Sequence, residues 1–236
     1  MKLKALRNEV CRANQRLVEE GLVTLTWGNV SGIDRESGLV AIKPSGVDYA
    51  ALTPEQVVLV NLDGDVIEGD LRPSSDTPTH VLLYRHFSDI GGVTHTHSAK
   101  ATAFAQARQA IDCLGTTHAD HFYGSVPVTR PLSPQEVEQA YEASTGHVIV
   151  EAIEGHDPLA MPAVLVAGHA PFCWGLSANQ SVDNAVALEA VAGMNLDTAM
   201  LQGGVRGGAA MVSLETYVLD KHHRRKHGAD AYYGQK

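Results

Sequence analysis

Hydrophobic positions at three- and four-residue spacing open the chain. Leu3, Leu6, Val10, Ala13 and Leu17 make one stripe of an amphipathic helix that stops near Gly21. The pattern then shortens. Residues 22–26 and 39–42 read as strands on either side of a Trp27-Gly28-Asn29 loop, and 57–60 with 65–67 bracket the hairpin signal Asp63-Gly64. Pro78 suits a first helical turn, which makes Thr77 the expected N-cap of a helix running through Tyr84 to Phe87. The apolar run 92–98 reads as a strand, with Ser98 positioned to cap a helix from Ala99. Ser133-Pro134-Gln135-Glu136 is a capping box with proline at its first helical position. Residues 163–167 form a short buried strand running into Gly168-His169. Helices are expected over 179–201 and 214–227, the second ended by Gly228, with a glycine-rich connector at 202–208. No repeat or linker interrupts this series. The mix of strands and helices predicts one α/β domain over residues 1–236, a sheet covered by helices.

Composition narrows the classes. At 236 residues and 44% hydrophobic the chain can fill a sizeable core, and a net charge of −9 argues against a nucleic-acid or membrane-surface partner. The longest apolar stretch, 158–176, is broken by Pro162, Gly168, His169 and Pro171, so a membrane span is not expected. Cys11, Cys113 and Cys173 are odd in number and far apart, which suits a reducing compartment without disulfides. With no secretory pattern at the start, the expectation is a soluble cytoplasmic protein.

The candidate chemistry centres on Gly92-Val93-Thr94-His95-Thr96-His97-Ser98. Alternate side chains of a strand share a face, so His95 and His97 aim two imidazoles to one side, roughly 6 to 7 Å apart along the chain. Such a pair holds a metal or lines a polar pocket. A catalytic zinc commonly has three protein ligands and an open position. His169, where a buried strand emerges at a glycine, is a candidate third. Asp76 is a candidate carboxylate if Thr77 takes the capping role, and otherwise it is a helix cap. His80, His86 and His147 lack such context and are expected on the surface.

Two loops suit an anion. Lys43-Pro44-Ser45-Gly46 combines a cation, a hydroxyl and a glycine amide that can approach closely; the alternative is an ordinary turn. Ser74 and Ser75 precede a helix N-terminus, where the dipole favours phosphate. No nucleotide P-loop or Gly-x-Gly-x-x-Gly dinucleotide motif is present. The basic run from Lys221 to Lys226 complements the end of a helix.

Taken in order, these strings resemble the class II aldolase/epimerase superfamily, and within it the L-ribulose-5-phosphate 4-epimerases. The resemblance runs from Leu22 to Ser31 and Ile42 to Tyr49, through Pro73 to His80, His95 to Ser98 and Gly115 to Asp120. It ends in Arg225-Lys226-His227-Gly228 and Tyr232-Tyr233-Gly234-Gln235. Each string alone is weak, and the ordered set is specific. The resemblance implies a three-layer fold with a central, mostly antiparallel sheet. It also implies divalent-metal ligation by His95, His97 and His169 with Asp76 nearby, zinc being the typical ion and manganese an alternative. Gly28, Asn29, Lys43, Ser45, Gly46, Ser74 and Ser75 would hold the substrate and its phosphate. Asp120 and Tyr233 would act as acid and base; on sequence alone the first is equally a turn residue and the second a tail residue. A homotetramer with sites at subunit boundaries is implied, Thr116, Glu142, His222 and Arg225 being the neighbour's candidates. His121 follows Asp120 where the family pattern carries an aromatic residue.

The implied reaction inverts C4 of a pentulose 5-phosphate, interconverting L-ribulose 5-phosphate and D-xylulose 5-phosphate. The C4 hydrogen is not alpha to the carbonyl, so direct deprotonation is not available. Without a nicotinamide motif, the remaining route breaks and remakes C3–C4 through an enediolate that a divalent cation stabilises. Competing readings are a sugar-phosphate aldolase of the L-fuculose-phosphate type, a zinc hydrolase, for which His-Glu-x-x-His is missing, and a non-catalytic metal-binding protein.

Overall fold

The computed structural model describes residues 1–203, 212–227 and 231. The opening stripe folds as α1 (Lys4–Glu19) and buries Val10, Ala13 and Leu17. After a loop come β1 (Gly28–Asp34) and β2 (Leu39–Ile42), joined by a tight turn in which the Asp34 carboxylate accepts the Ser37 N–H. Next are β3 (Val58–Val60), β4 (Val66–Glu68), α2 (Thr77–His86), β5 (Gly92–Thr96) and α3 (Ala99–Ala107). The second half supplies α4 (Thr116–Ala119), α5 (Pro134–Ile153), β6 (Ala163–Leu165), β7 (Pro171–Gly175), α6 (Ala178–Leu201) and α7 (Thr216–His227).

The strands form one seven-stranded sheet in the order β4-β3-β2-β1-β5-β7-β6, every neighbouring pair antiparallel. The pleat of β1 shows the layering. Gly32 faces α1 and α6, against Leu6, Val10 and Ala178, whereas the adjacent Ser31 faces α2 and bonds His80 and Tyr84. Strand β5 repeats the division: Thr94 bonds Ser181 of α6, while His95 points to the opposite side. The sheet therefore lies between two helical layers, the three-layer antiparallel arrangement expected. Trp174, Phe172, Tyr84 and Leu17 are among the side chains buried in its core.

Most expected elements form within a residue or two of their predicted ends, and Ser133–Glu136 makes a complete capping box. Three expectations need correction. Residues 22–26 are a loop, not a strand, and the expected loop at Trp27-Gly28-Asn29 instead enters β1. Among the described residues no strand pairs with this segment; Leu25 takes a φ of 52° and stands 74% exposed, and Trp27 N–H closes a turn on the Thr24 carbonyl. Asp76, not Thr77, occupies the N-cap of α2; the Thr77 hydroxyl donates to the Ser74 carbonyl, and the Asp76 carboxylate makes no capping bond. His80 is fully buried rather than on the surface, because it lies on the sheet-facing side of α2. His86 and His147 are exposed as expected.

Strand β7, hidden within the broken apolar stretch 158–176, has no counterpart among the expected elements. It forms a hairpin with β6 and brings β5 and β6 into one sheet. Among the described residues no helix is long and apolar enough to cross a membrane.

Candidate metal and phosphate site

The sheet register assembles the histidines. His95 pairs with Asn29 of β1 on one side and Phe172 of β7 on the other. His97 lies two residues beyond His95, past the end of β5. Going the other way, the β6–β7 turn places His169 three residues before Phe172. The three imidazole centroids form a nearly equilateral triangle, with sides of 5.0, 4.9 and 5.0 Å. Their ligand atoms all lie within 4.8 Å of one another. Among the described residues, this is the one His, Cys, Asp and Glu group of three or more that can hold a metal.

The surroundings prepare the imidazoles for that use. His95 Nδ1 contacts the Pro171 carbonyl at 2.9 Å, which fixes the proton there and leaves Nε2 free as a donor to a cation. Phe172 stacks flat on His95 at 4.1 Å and 16°. His169 Nδ1 is buried without a partner. Burial and the adjacent imidazoles push His169 down to about 4, and burial lowers His95 and His97. All three rings are thus neutral at neutral pH, the form that ligates.

Asp76 joins from the N-cap of α2. Its Oδ2 accepts the Asn29 amide at 2.6 Å. Burial raises its pKa, but His95, His80, the Asn29 bond and His169 outweigh that effect and hold the carboxyl below its ordinary value. It is therefore an anion beside the imidazoles. Three neutral imidazoles with a carboxylate nearby fit a divalent cation of borderline softness.

The phosphate-type loops meet at the same cleft. Ser45 N–H donates to the Arg72 carbonyl and Ser74 N–H to the Lys43 carbonyl, so segments 43–45 and 72–74 are stitched together. Lys43 is 2% exposed; its Nζ lies 4.8 Å above the Tyr49 ring and donates to Pro44 O. No carboxylate forms an ion pair with Lys43 among the described residues. Burial lowers its pKa, an effect that the Asp48 charge offsets only in part. Tyr49 is in turn anchored by donating to the Gly28 carbonyl at 2.7 Å. The arrangement gathers a buried cation and the hydroxyls of two loops at one cleft.

One cleft of about 590 Å³ is lined by all eleven of Gly28, Asn29, Lys43, Ser45, Gly46, Ser74, Ser75, Asp76, His95, His97 and His169. Sequence reasoning does not single out Trp27, whose ring lies 6.3 Å from His97, or Tyr141, whose ring lies 6.2 Å from His169. Trp27 falls inside one of the ordered motifs. Tyr141 carries no local signal, since a non-helical φ/ψ at Ala140 kinks α5 just before it.

The remaining candidates stand apart from this cleft. Asp120 follows α4 and is held by α7: Arg225 donates to both carboxylate oxygens at 3.0 and 2.5 Å, and His222 Nδ1 contacts Oδ1 at 3.0 Å. Burial raises the Asp120 pKa, but Arg225, His222 and Lys226 more than reverse it, so the group is lowered. Thr116 is exposed at the start of α4, close in sequence to Asp120. Glu142 is half-buried on α5 and its carbonyl accepts the Thr79 hydroxyl. His121, the departure from the family pattern, contacts Lys226 Nζ at 3.5 Å. Tyr233 lies outside the described residues.

Comparison with known proteins agrees with this geometry. Residues 8–196 match the family described as Class II Aldolase and Adducin N-terminal domain. An L-ribulose-5-phosphate 4-epimerase UlaF of Salmonella paratyphi C (strain RKS4594) is 50% identical, covering 99% of this chain and 100% of its own. Among solved structures, an L-fuculose 1-phosphate aldolase superposes with a TM-score of 0.77 at 25% identity, covering 94% of this chain and 95% of its own. An L-fuculose-1-phosphate aldolase from Thermus thermophilus gives 0.68 at 27%, covering 86% and 100%. Sheet order, imidazole triangle and these matches agree: the chain belongs to the class II aldolase family.

Proposed function

We propose that this protein is a metal-dependent epimerase that interconverts L-ribulose 5-phosphate and D-xylulose 5-phosphate at C4. The observation that carries the reading is one cleft with a buried, unpaired lysine and two hydroxyl loops at one part and three imidazoles at another. A phosphorylated sugar spans such a cleft with its phosphate in the loops and its oxygens at the metal. Identity of 50% to an L-ribulose-5-phosphate 4-epimerase along nearly the whole chain selects the pentulose.

His95, His97 and His169 would hold the ion, with Asp76 beside them; zinc suits this donor set best, and manganese is the alternative. When bound, a divalent cation supplies the electrophilic stabilisation of negative charge that C3–C4 cleavage requires. Lys43, Ser45, Ser74, Ser75 and the Gly46 amide retain the phosphate of the cleaved aldehyde fragment, so that it turns and rejoins through its other face before escaping. Asn29 and the Gly28 carbonyl–Tyr49 anchor keep the two parts of the cleft in register. Asp120 and Tyr233 exchange the hydroxyl proton, one on each face of the aldehyde. Asp120 lies with His222 and Arg225 outside its own chain's cleft, which supports an assembly in which a neighbouring copy completes the site, with Thr116 and Glu142 at the same boundary. A homotetramer is the assembly proposed. Three free cysteines fit a cytoplasmic setting.

The test is incubation of zinc-loaded protein with L-ribulose 5-phosphate, following both D-xylulose 5-phosphate and free glycolaldehyde phosphate. Epimer without free aldehyde is expected. Aldehyde release without epimer would replace the reading with an aldolase, the activity named for the L-fuculose 1-phosphate aldolases that share this fold.

A further inference from the structure

A buried polar seam runs away from the metal end of the cleft, between β1 and α2. Asn29 and Ser31 are two residues apart on one face of the strand. Asp76, His80 and Tyr84 recur every four residues along one face of the helix. They pair in order: Asn29 donates to Asp76, Ser31 Oγ meets His80 Nδ1 at 2.7 Å, and Ser31 Oγ meets Tyr84 OH at 2.8 Å. Ser31, His80 and Tyr84 are all fully buried.

Hydrogen counting, together with the position of the Asp76 anion, sets the direction of these bonds. Ser31 has one hydroxyl hydrogen and Tyr84 has one. If His80 carried its proton on Nδ1, Ser31 Oγ would accept it, and only one of the two hydroxyl hydrogens could then be used in the Ser31–Tyr84 bond. A buried donor left unmade bears the full cost of its desolvation. In the opposite direction, Tyr84 donates to Ser31, Ser31 donates to His80 Nδ1, and the one hydrogen left over sits on His80 Nε2, within electrostatic reach of the Asp76 anion instead of stranded between two neutral hydroxyls. His80 is then the Nε2–H tautomer. That Nε2 is buried and has no partner. The residue sits one helical turn below Asp76, bonded to it through the backbone at 3.1 Å and within its electrostatic reach. The His80 ring also meets Phe172 edge-on at 6.0 Å, and Phe172 is the plate stacked on His95.

We propose that His80 is a positioning residue for the metal centre. Held as the Nε2–H tautomer by Ser31 and Tyr84, it presents that N–H to the Asp76 carboxylate through one enclosed water, and steadies the Phe172 plate behind His95. This inference rests on the reading of Asp76 and the three imidazoles as a metal centre. It adds a second layer in which the side chain of His80 never touches substrate. Partners of this kind typically govern 10- to 100-fold in metal affinity or activity.

The test uses the full-length protein and zinc alone. Long-range proton–nitrogen NMR of the metal-free wild type should show His80 protonated at Nε2 and bare at Nδ1. Zinc affinity is then measured by competition with a chromophoric chelator for wild type, His80→Asn and His80→Gln. Asparagine can satisfy Ser31 but places nothing at the Nε2 position, so zinc should bind about 10- to 100-fold more weakly. Glutamine reaches that position with an amide N–H and should recover most of the loss. A proton on Nδ1, or His80→Asn binding zinc as the wild type does, overturns the inference. The spectrum decides the matter even if neither variant folds. Failure of the wild type to bind zinc would instead sink the metal-centre reading itself.

Discussion

Adding one methyl group at Gly28 and one at Gly46 separates steric from conformational control of the site. Both glycines line the cleft and both have positive φ, +129° and +70°. At Gly46 a Cβ would meet nothing within 4 Å. Its alanine variant therefore costs only the left-handed backbone term, about 1–2 kcal/mol. At Gly28 a Cβ would lie 2.8 Å from the His95 carbonyl oxygen, 3.0 Å from Val23 Cγ1 and 3.4 Å from the Thr96 Cα. Comfortable carbon contacts begin near roughly 3.5 Å. Relief therefore requires β1 and β5 to part where Gly28 pairs with Thr96 and Asn29 with His95. Overpacking of about 1–3 kcal/mol adds to backbone strain of similar size, giving roughly 2–6 kcal/mol in total. Because the opened pair carries His95 and borders His97, Gly28→Ala should lose at least tenfold in zinc affinity. Gly46→Ala should keep zinc and raise KM for the phosphorylated substrate. Urea melts and chelator competition on both variants provide the measurements. A Gly28→Ala protein with wild-type zinc affinity and less than about 1 kcal/mol lost would refute this account of how the strand pair holds the imidazoles.

Other substitutions probe separate parts of the molecule. His97→Ala should abolish stoichiometric zinc and turnover together while leaving the circular dichroism spectrum unchanged; metal content by mass spectrometry checks it. His118 is 3% exposed, with Nε2 donating to the Gly124 carbonyl and Nδ1 unpartnered, and burial lowers it to about 4. A depressed histidine leaves the unfolded chain binding the extra proton, so stability falls as pH drops from about 6.5 towards 4, by roughly 3 kcal/mol in full and about 2 by pH 5. In metal-free protein, His118→Gln should flatten the urea-unfolding profile by that amount relative to wild type, and parallel profiles would exclude the assignment. Asp120→Asn removes the charge that Arg225, His222 and Lys226 converge on. It should speed tryptic cleavage within 221–227 and slow epimerisation while zinc stays bound; cleavage at the wild-type rate would show that the carboxylate does not dock α7.

The local physics of the chain already specifies a good deal. The opening helix, the Ser133 capping box, the long helix after Ser177 and the same-face pair His95/His97 all follow from spacing and capping, which act over a few residues. The ordered motifs also mark ten of the eleven cleft residues without any fold in view, and His169 is marked by its place at a glycine after a buried strand. Long-range pairing settles the rest. Residues 22–26 have strand-like composition but no partner strand, while Gly28–Asp34, richer in glycine, is pinned between β2 and β5. His80 lacks any local sign of importance, since burial depends on which face of α2 meets Ser31 across 49 positions of sequence. The same holds for Asp120: nothing near it predicts Arg225, 105 residues away, as its partner. Side-chain spacing encodes which groups share an element's face, but the sheet register, a non-local property, determines which faces converge around an ion.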